Sequence, residues 1–188
     1  HNQFTEFPAA LCTVTTLQEL RLQHNQLRSL PDAIKQLQAL RHLHLDRNKV
    51  QYLPKGLYDC TQLEPLSLSW NVVDQVGPSI ARLKKLQHLS LYQNHLLFCA
   101  DEINELQSLS NLNLSYTKLK KLPKLSGCTN LVVLSLAGLR EIEELHQELE
   151  MLQCRQLKQL TLSRNSLTDL PPSFDQYEAL ERINIDYT

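Results

Sequence analysis

Histidines and hydroxyls at short spacing are the residues of this 188-residue chain that could do chemistry. In "LRHLHLDRN" His42 and His44 stand two apart, so in an extended segment both imidazoles leave the same side of the chain. His88, in "LQHLSLYQN", takes the place of His42 in a second copy of that phrase, which would set three zinc-type ligands on one surface. Ser67 and Ser90 fall near His88, the pairing that a hydroxyl nucleophile and its base would need. Both readings fail on their surroundings. A metal site needs three or four converging ligands, and the register brings no carboxylate or thiolate within about 5 Å of the histidines. Nothing orients an imidazole, nothing forms an oxyanion hole, and an open strand surface cannot exclude water. With four glycines in all, the chain has no phosphate-binding loop. The expectation is therefore a non-enzyme with no metal and no cofactor.

What positions these residues is a repeat. The frame Leu-x-x-Leu-x-Leu-x-x-Asn-x-Leu opens at Leu17, Leu40, Leu63, Leu86, Leu109, Leu131, Leu157 and Leu180, at intervals of 23, 23, 23, 23, 22, 26 and 23 residues. We number these repeats one to eight. Frame positions 4 and 6 lie two apart, so in a strand they point together into a core while positions 3, 5 and 7 point away. Position 9 turns inward as Asn2, Asn25, Asn48, Asn71, Asn94 and Asn165, and a buried amide must pair with backbone groups of the adjacent turn. Thr117 and Thr188 are partial substitutes, whereas the Leu139 side chain cannot hydrogen-bond. The return segments, such as "LPDAIKQLQAL", supply short apolar-faced helices or 3-10 turns. Strands stack about 4.8 Å apart and helices about 10 Å apart, so the array must curve with its strands inside.

The repeated frame resembles the leucine-rich repeat family over residues 1–188, in copies such as "LRHLHLDRNKVQYLP" and "LKQLTLSRNSLTDLP". The Leu-Pro step at 30–31, 53–54, 122–123 and 170–171, followed by Ile34, Leu57 or Phe174, is similar to the intracellular type of about 23 residues. That type occurs in eukaryotic signalling scaffolds and in effectors of intracellular bacteria. The resemblance implies an α/β solenoid: a horseshoe with a parallel sheet on its concave face and short helices or 3-10 segments on the convex face. It also implies a protein-binding role. One domain is expected over residues 1–188, with a partial repeat at 1–16. Because "HNQF" at 1–4 matches "HNQL" at 24–27, flanking sequence or polar caps are expected in the intact protein.

Reading outward positions 3, 5, 7 and 8 of each repeat gives the open face. Trp70, the only tryptophan, lands there with Tyr92 and Tyr116 in the next two repeats, Trp70 and Tyr116 sharing a column roughly 10 Å apart. Beside this aromatic ridge runs a floor of small residues that includes Ser67, Ser69, Ser90, Ser115 and Ser135, with Asn113 and His88 among them. Tryptophan and tyrosine dominate interface hot spots because they bury large area with little rotamer entropy. A second patch, Arg21, His42, His44 and Arg47, could meet a partner's carboxylates, diluted by Glu19 and Asp46. The bland alternative for Trp70 is that it folds back onto its own array.

Composition narrows the partners. A net charge of −1 implies no broad attraction to nucleic acid or anionic membrane, and no apolar run approaches the roughly 20 residues of a bilayer span. The five cysteines, Cys12, Cys60, Cys99, Cys128 and Cys154, are odd in number and read as buried reduced thiols, which points to cytoplasm, of the producing cell or of a host. They lack the paired clusters that cap secreted members of the family. In repeat six, "LREIEELHQELEMLQ" has Ile142, Leu145, Leu149 and Leu152 at helical spacing and a run of glutamates, read as a longer convex helix with a solvated acidic face. The reading is a protein partner held on the concave face of a monomer or hetero-complex, in a secreted bacterial effector or a regulator that inhibits another effector. The alternatives are the substrate-recognition arm of a larger enzyme, for example a ubiquitin ligase, or a eukaryotic signalling scaffold.

Overall fold

The computed structural model describes residues 2–186. Its main feature is an eight-stranded parallel sheet with strands of three residues each. In order these are β1 (Glu19–Arg21), β2 (His42–His44), β3 (Pro65–Ser67), β5 (His88–Ser90), β7 (Asn111–Asn113), β8 (Val133–Ser135), β9 (Gln159–Thr161) and β10 (Arg182–Asn184). A two-stranded sheet, β4 (Gln75–Val76) with β6 (Phe98–Cys99), lies outside it. Each strand pairs with the next at the same frame position: Leu20 with Leu43, Leu43 with Leu66, Leu66 with Leu89, and on to Leu160 with Ile183. A slip of one residue would turn every leucine of a strand out of the core, so the hydrophobic frame fixes this register.

Among the described residues six 3-10 segments carry the return path, including Asp32–Gln36, Lys55–Asp59 and Pro78–Arg82. Five of them bury a residue such as Ile34, Leu57 or Ile80 in the core, and the sixth, Pro172–Gln176, packs the partly buried Phe174 against it. The array is the solenoid expected from the frame, with the core between strands and return segments and one sheet face left open. Leu43, Leu66, Leu89 and Leu112 are at most 2% exposed, so each contributes about 2 kcal/mol of apolar burial. Repeat six departs as expected, though over a shorter span: α1 (Leu145–Glu150), the only α-helix among the described residues, buries Leu145 and Leu149.

The asparagines form the ladder. Asn48 accepts from the Leu27 N–H at 3.0 Å and donates to the carbonyls of Leu22 (2.8 Å) and Leu45 (2.9 Å), joining two turns through one side chain. Asn71 and Asn94 repeat the pattern one turn on each time. Asn25 accepts from the Phe4 N–H, while Asn2 is exposed and makes no comparable contact among the described residues. Thr117 donates only to Leu114. Leu139 contributes no side-chain bond, but its N–H is taken by Asn165 at 2.8 Å. Thr188 lies outside the described residues.

All five cysteines are unpaired and buried. Cys60 and Cys128 donate to the carbonyls of Ile34 and Ile103 in the preceding repeat, both at 3.3 Å. Burial pushes both thiols up to about 11, and pushes Cys99 and Cys154 up to about 12. Protonated at neutral pH, they act as small apolar side chains.

Candidate partner-binding face

The residue at frame position 8, just before the inward asparagine or its Thr117 substitute, takes a backbone conformation that its side chain does not invite. His24, Arg47, Trp70, Gln93, Tyr116 and Arg164 have φ between 54° and 60°, in the left-handed region, where a side chain costs roughly 1 kcal/mol or more. The turn gains a hydrogen bond in return. Trp70 N–H donates to Tyr92 O at 2.8 Å, Gln93 N–H to Ser115 O at 3.0 Å and Tyr116 N–H to Ala137 O at 2.7 Å, so the main-chain ladder runs past the strands into the turns. In repeat seven the same place donates to Asp186.

This turn sets out a continuous row of rings. Trp70 and Tyr92 meet edge to face with centroids 5.6 Å apart, and Tyr92 meets Tyr116 likewise at 5.5 Å. Arg47 lies over the indole, 4.9 Å from its centroid. At the far end the Tyr116 ring rests on Gly138, where a β-carbon would come within 2.7 Å of Cδ1. Trp70 is 43% exposed, so it does not fold back into the core. Tyr92 is thus the link between the two ring positions that share a column, and the row extends from a guanidinium to a glycine seat.

The floor beside the row is polar and already bonded to itself. Asp46 accepts from the Ser67 hydroxyl and from the Ser69 N–H at 2.9 Å, and the Ser69 and Ser90 hydroxyls meet at 2.8 Å. Ser115 is buried and accepts from the Ala137 N–H at 3.0 Å, while Asn113 accepts from the Ser115 N–H. A shallow hollow of about 260 Å³ opens over the middle strands, lined in part by Ser67, His88, Ser90, Asn113 and Ser135. It has room for one or two side chains rather than a whole small molecule.

The basic patch is less free than the face columns imply. Arg21 pairs with Glu19, and His44 Nε2 lies 4.0 Å from Glu19 Oε1. His42 Nε2 lies 3.9 Å from Glu64 Oε2, and Arg41 pairs with Glu64 at 2.9 Å. This corrects the expectation that no carboxylate comes near these histidines. Glu64 occupies frame position 2, outside the columns counted as facing the hollow, and its length brings it back to the strand. Two separate pairs result; among the described residues no three ligand-type side chains converge on one point. His88 is exposed and lines the hollow, its backbone N–H donating to Glu64 O at 3.1 Å. Arg47 belongs with the rings rather than with the patch.

The sequence reading missed Asp46 as the fastener of the serine floor and Gly138 as the seat of Tyr116. Gly138 could have been found: it is the one glycine at frame position 8, where every other repeat places a bulky residue. Tyr187, the position-8 residue of repeat eight, lies outside the described residues.

Leucine rich repeat models match residues 15–73 and 156–176. No curated protein matches the chain. Among solved structures, a leucine-rich repeat protein from Leptospira interrogans is 32% identical over 97% of this chain and 48% of its own, with a TM-score of 0.83. An internalin from Listeria monocytogenes superimposes with a TM-score of 0.79 at 17% identity, over 97% of this chain and 52% of its own. The leucine-rich repeat ectodomain of an Arabidopsis thaliana membrane receptor kinase, in complex with Casparian strip integrity factor 2, is 26% identical over 96% of this chain and 22% of its own, with a TM-score of 0.74. The chain thus spans about half the length of the first two.

Proposed function

Since this chain belongs to the leucine-rich repeat family, we propose that it is a non-enzymatic module that holds a protein partner on its concave face. The observation that carries this reading is the exposed row Arg47, Trp70, Tyr92 and Tyr116. Its rings are held in place by one another and by Gly138. A partner therefore meets large apolar area at little entropic cost, the property that makes such residues hot spots. The bonded floor of Ser67, Ser90 and Asn113 gives a partner small polar groups and a shallow hollow for one or two of its side chains. The carboxylates of Glu19 and Glu64 beside Arg21, His42 and His44 make the first repeats a mixed-charge rim that fixes orientation rather than an acidic-ligand site.

A bacterial setting is supported by the 32% identity with the Leptospira protein, and a cytoplasmic one by five buried thiols without a disulfide. Within that setting the module acts as an effector, or as a regulator that covers another effector's working surface.

The experiment is partner capture with Trp70→Ala and Tyr116→Ala, with circular dichroism to check the fold. Each substitution should weaken binding at least ~30-fold, in line with hot-spot values of about 2 kcal/mol. Full affinity in a folded double variant would remove the proposal.

A further inference from the structure

Frame positions 10, 12 and 13 follow the inward asparagine and pass down one side wall of the arch. In repeat four this wall is apolar: Leu97 and Phe98 are 55% and 52% exposed, and Tyr52, two repeats earlier at position 13, is 55% exposed. The positions are tied together by backbone contacts, Gln75 pairing with Phe98, Ser29 bridging Tyr52, and the Leu97 N–H donating to Asp74 O at 2.8 Å. A solvent-facing phenylalanine and leucine side by side on a β edge call for a cover.

The charges on either side of repeat four say what the cover is. Repeats one and two each bring one cation, Arg28 and Lys49, and repeat three brings one anion, Asp74. Repeat five brings three cations, Lys118, Lys120 and Lys121. Repeat six brings Arg140 and Glu143 at these positions, flanked by Glu141 and Glu144 at positions 11 and 14, so that its row is negative overall, and repeat seven brings Asp169. Counted outward from repeat four, each row carries the opposite sign from its counterpart at the same distance: repeat three against five, two against six, one against seven. A second copy, turned by 180° about an axis through repeat four that runs from the hollow to the outer rim, sets these rows against one another. Phe98 meets Phe98, Asp74 meets Lys120, and Lys49 meets the glutamates of repeat six. Successive repeats stack in parallel register, so like positions run as continuous rows along this wall, which is the surface offered to a second copy. An isologous interface demands this kind of self-complementary pattern.

We propose that the side wall centred on Leu97 and Phe98 is a homodimer interface in which two arches stack antiparallel with both hollows open to the same side. The occupant is a second copy because the row charges are antisymmetric about the apolar centre. A uniformly anionic partner would be repelled by Glu141, Glu143, Glu144 and Asp169, and a uniformly cationic one by Lys118, Lys120 and Lys121. Lys120 and Lys121 already share a hollow with the glutamates of their own chain, and Arg140 opposes Lys49, so the charges set register and the apolar centre supplies most of the affinity.

The test is a concentration series of the full chain by sedimentation equilibrium. Wild type should show a monomer–dimer equilibrium that weakens with added salt. Leu97→Ser with Phe98→Ser should weaken it at least ~30-fold, as loss of a hot-spot pair does. Asp74→Lys alone and Lys120→Asp alone should each weaken it, and the double exchange should restore it. Lys49→Glu with Glu143→Lys is a second pair on exposed side chains should Asp74→Lys disturb the fold. A monomer at every concentration would overturn the proposal, as would a dimer indifferent to Leu97 and Phe98, or one that both charge exchanges leave unrestored.

Discussion

Repeats one to four and repeats five and six solve the same problem, buried backbone groups in a turn, by different means. In the first region one residue type does the work: Asn48, Asn71 and Asn94 each bind three backbone groups across two turns. In the second, Thr117 reaches one carbonyl in its own turn, Ser115 takes the Ala137 N–H, and Glu148 on α1 accepts from the Leu122 N–H at 3.1 Å. Asn165 then closes the gap, reaching back to Leu139 N and to Leu136 O across the 26-residue repeat. The regular region is a chain of identical links; the irregular one is a patch of unlike residues that happen to meet the same need. Glu148 also shows that the acidic run of repeat six is not wholly a solvated face, a correction to the sequence reading.

If this contrast is right, the largest effect belongs to a link. Asn71→Ala leaves the Val50 N–H without its partner and takes one of two donors from Leu45 O and Leu68 O, which keep Asn48 and Asn94, at a cost of about 2 kcal/mol in all, so thermal unfolding should shift down by roughly 4–8 °C. Glu148→Lys removes an acceptor from Leu122 N and should cost about 1–2 kcal/mol in urea unfolding, where a purely solvated face would show no change. Thr117→Ala should cost only about 1 kcal/mol, and Thr117→Asn should raise stability above wild type by restoring the missing link. A Thr117→Ala loss as large as that of Asn71→Ala would end the distinction between the two regions.

The smallest effect is shared by both. The Gly56 N–H, 2.7 Å from Asp32 Oδ1, holds the Asp32 carboxyl below its ordinary range, and the Lys124 N–H does the same for Asp101. A carboxyl depressed in the folded state adds stability above its unfolded value of about 3.9, and that stability is lost as pH falls through the folded value. The melting temperature should therefore drop between about pH 5 and pH 2, and Asp32→Asn should flatten that slope.

The leucine spacing made the register and the ladder from Asn25 to Asn94 legible, because a frame repeated at 23 residues must stack like on like. It also placed Trp70, Tyr92 and Tyr116 on the open face. What it hid depends on conformation and reach. The left-handed turn at position 8 is invisible where His24, Arg47 and Trp70 occupy it, since the bond that favours it is made by the following repeat. Glu64 approaches His42 through the length of its side chain rather than its place in the frame. Leu97 and Phe98 fall at positions 12 and 13, beyond the last fixed leucine of the frame, so nothing in the periodicity marks them as exposed.

The burial of Cys12, Cys60, Cys99, Cys128 and Cys154 has a practical side. Maleimide and iodoacetamide reagents need an accessible thiolate, and the native arch offers none. A cysteine introduced at exposed Ser166 would then be the single reactive handle, allowing a fluorophore or spin label to be attached without first stripping the molecule of its own sulfur.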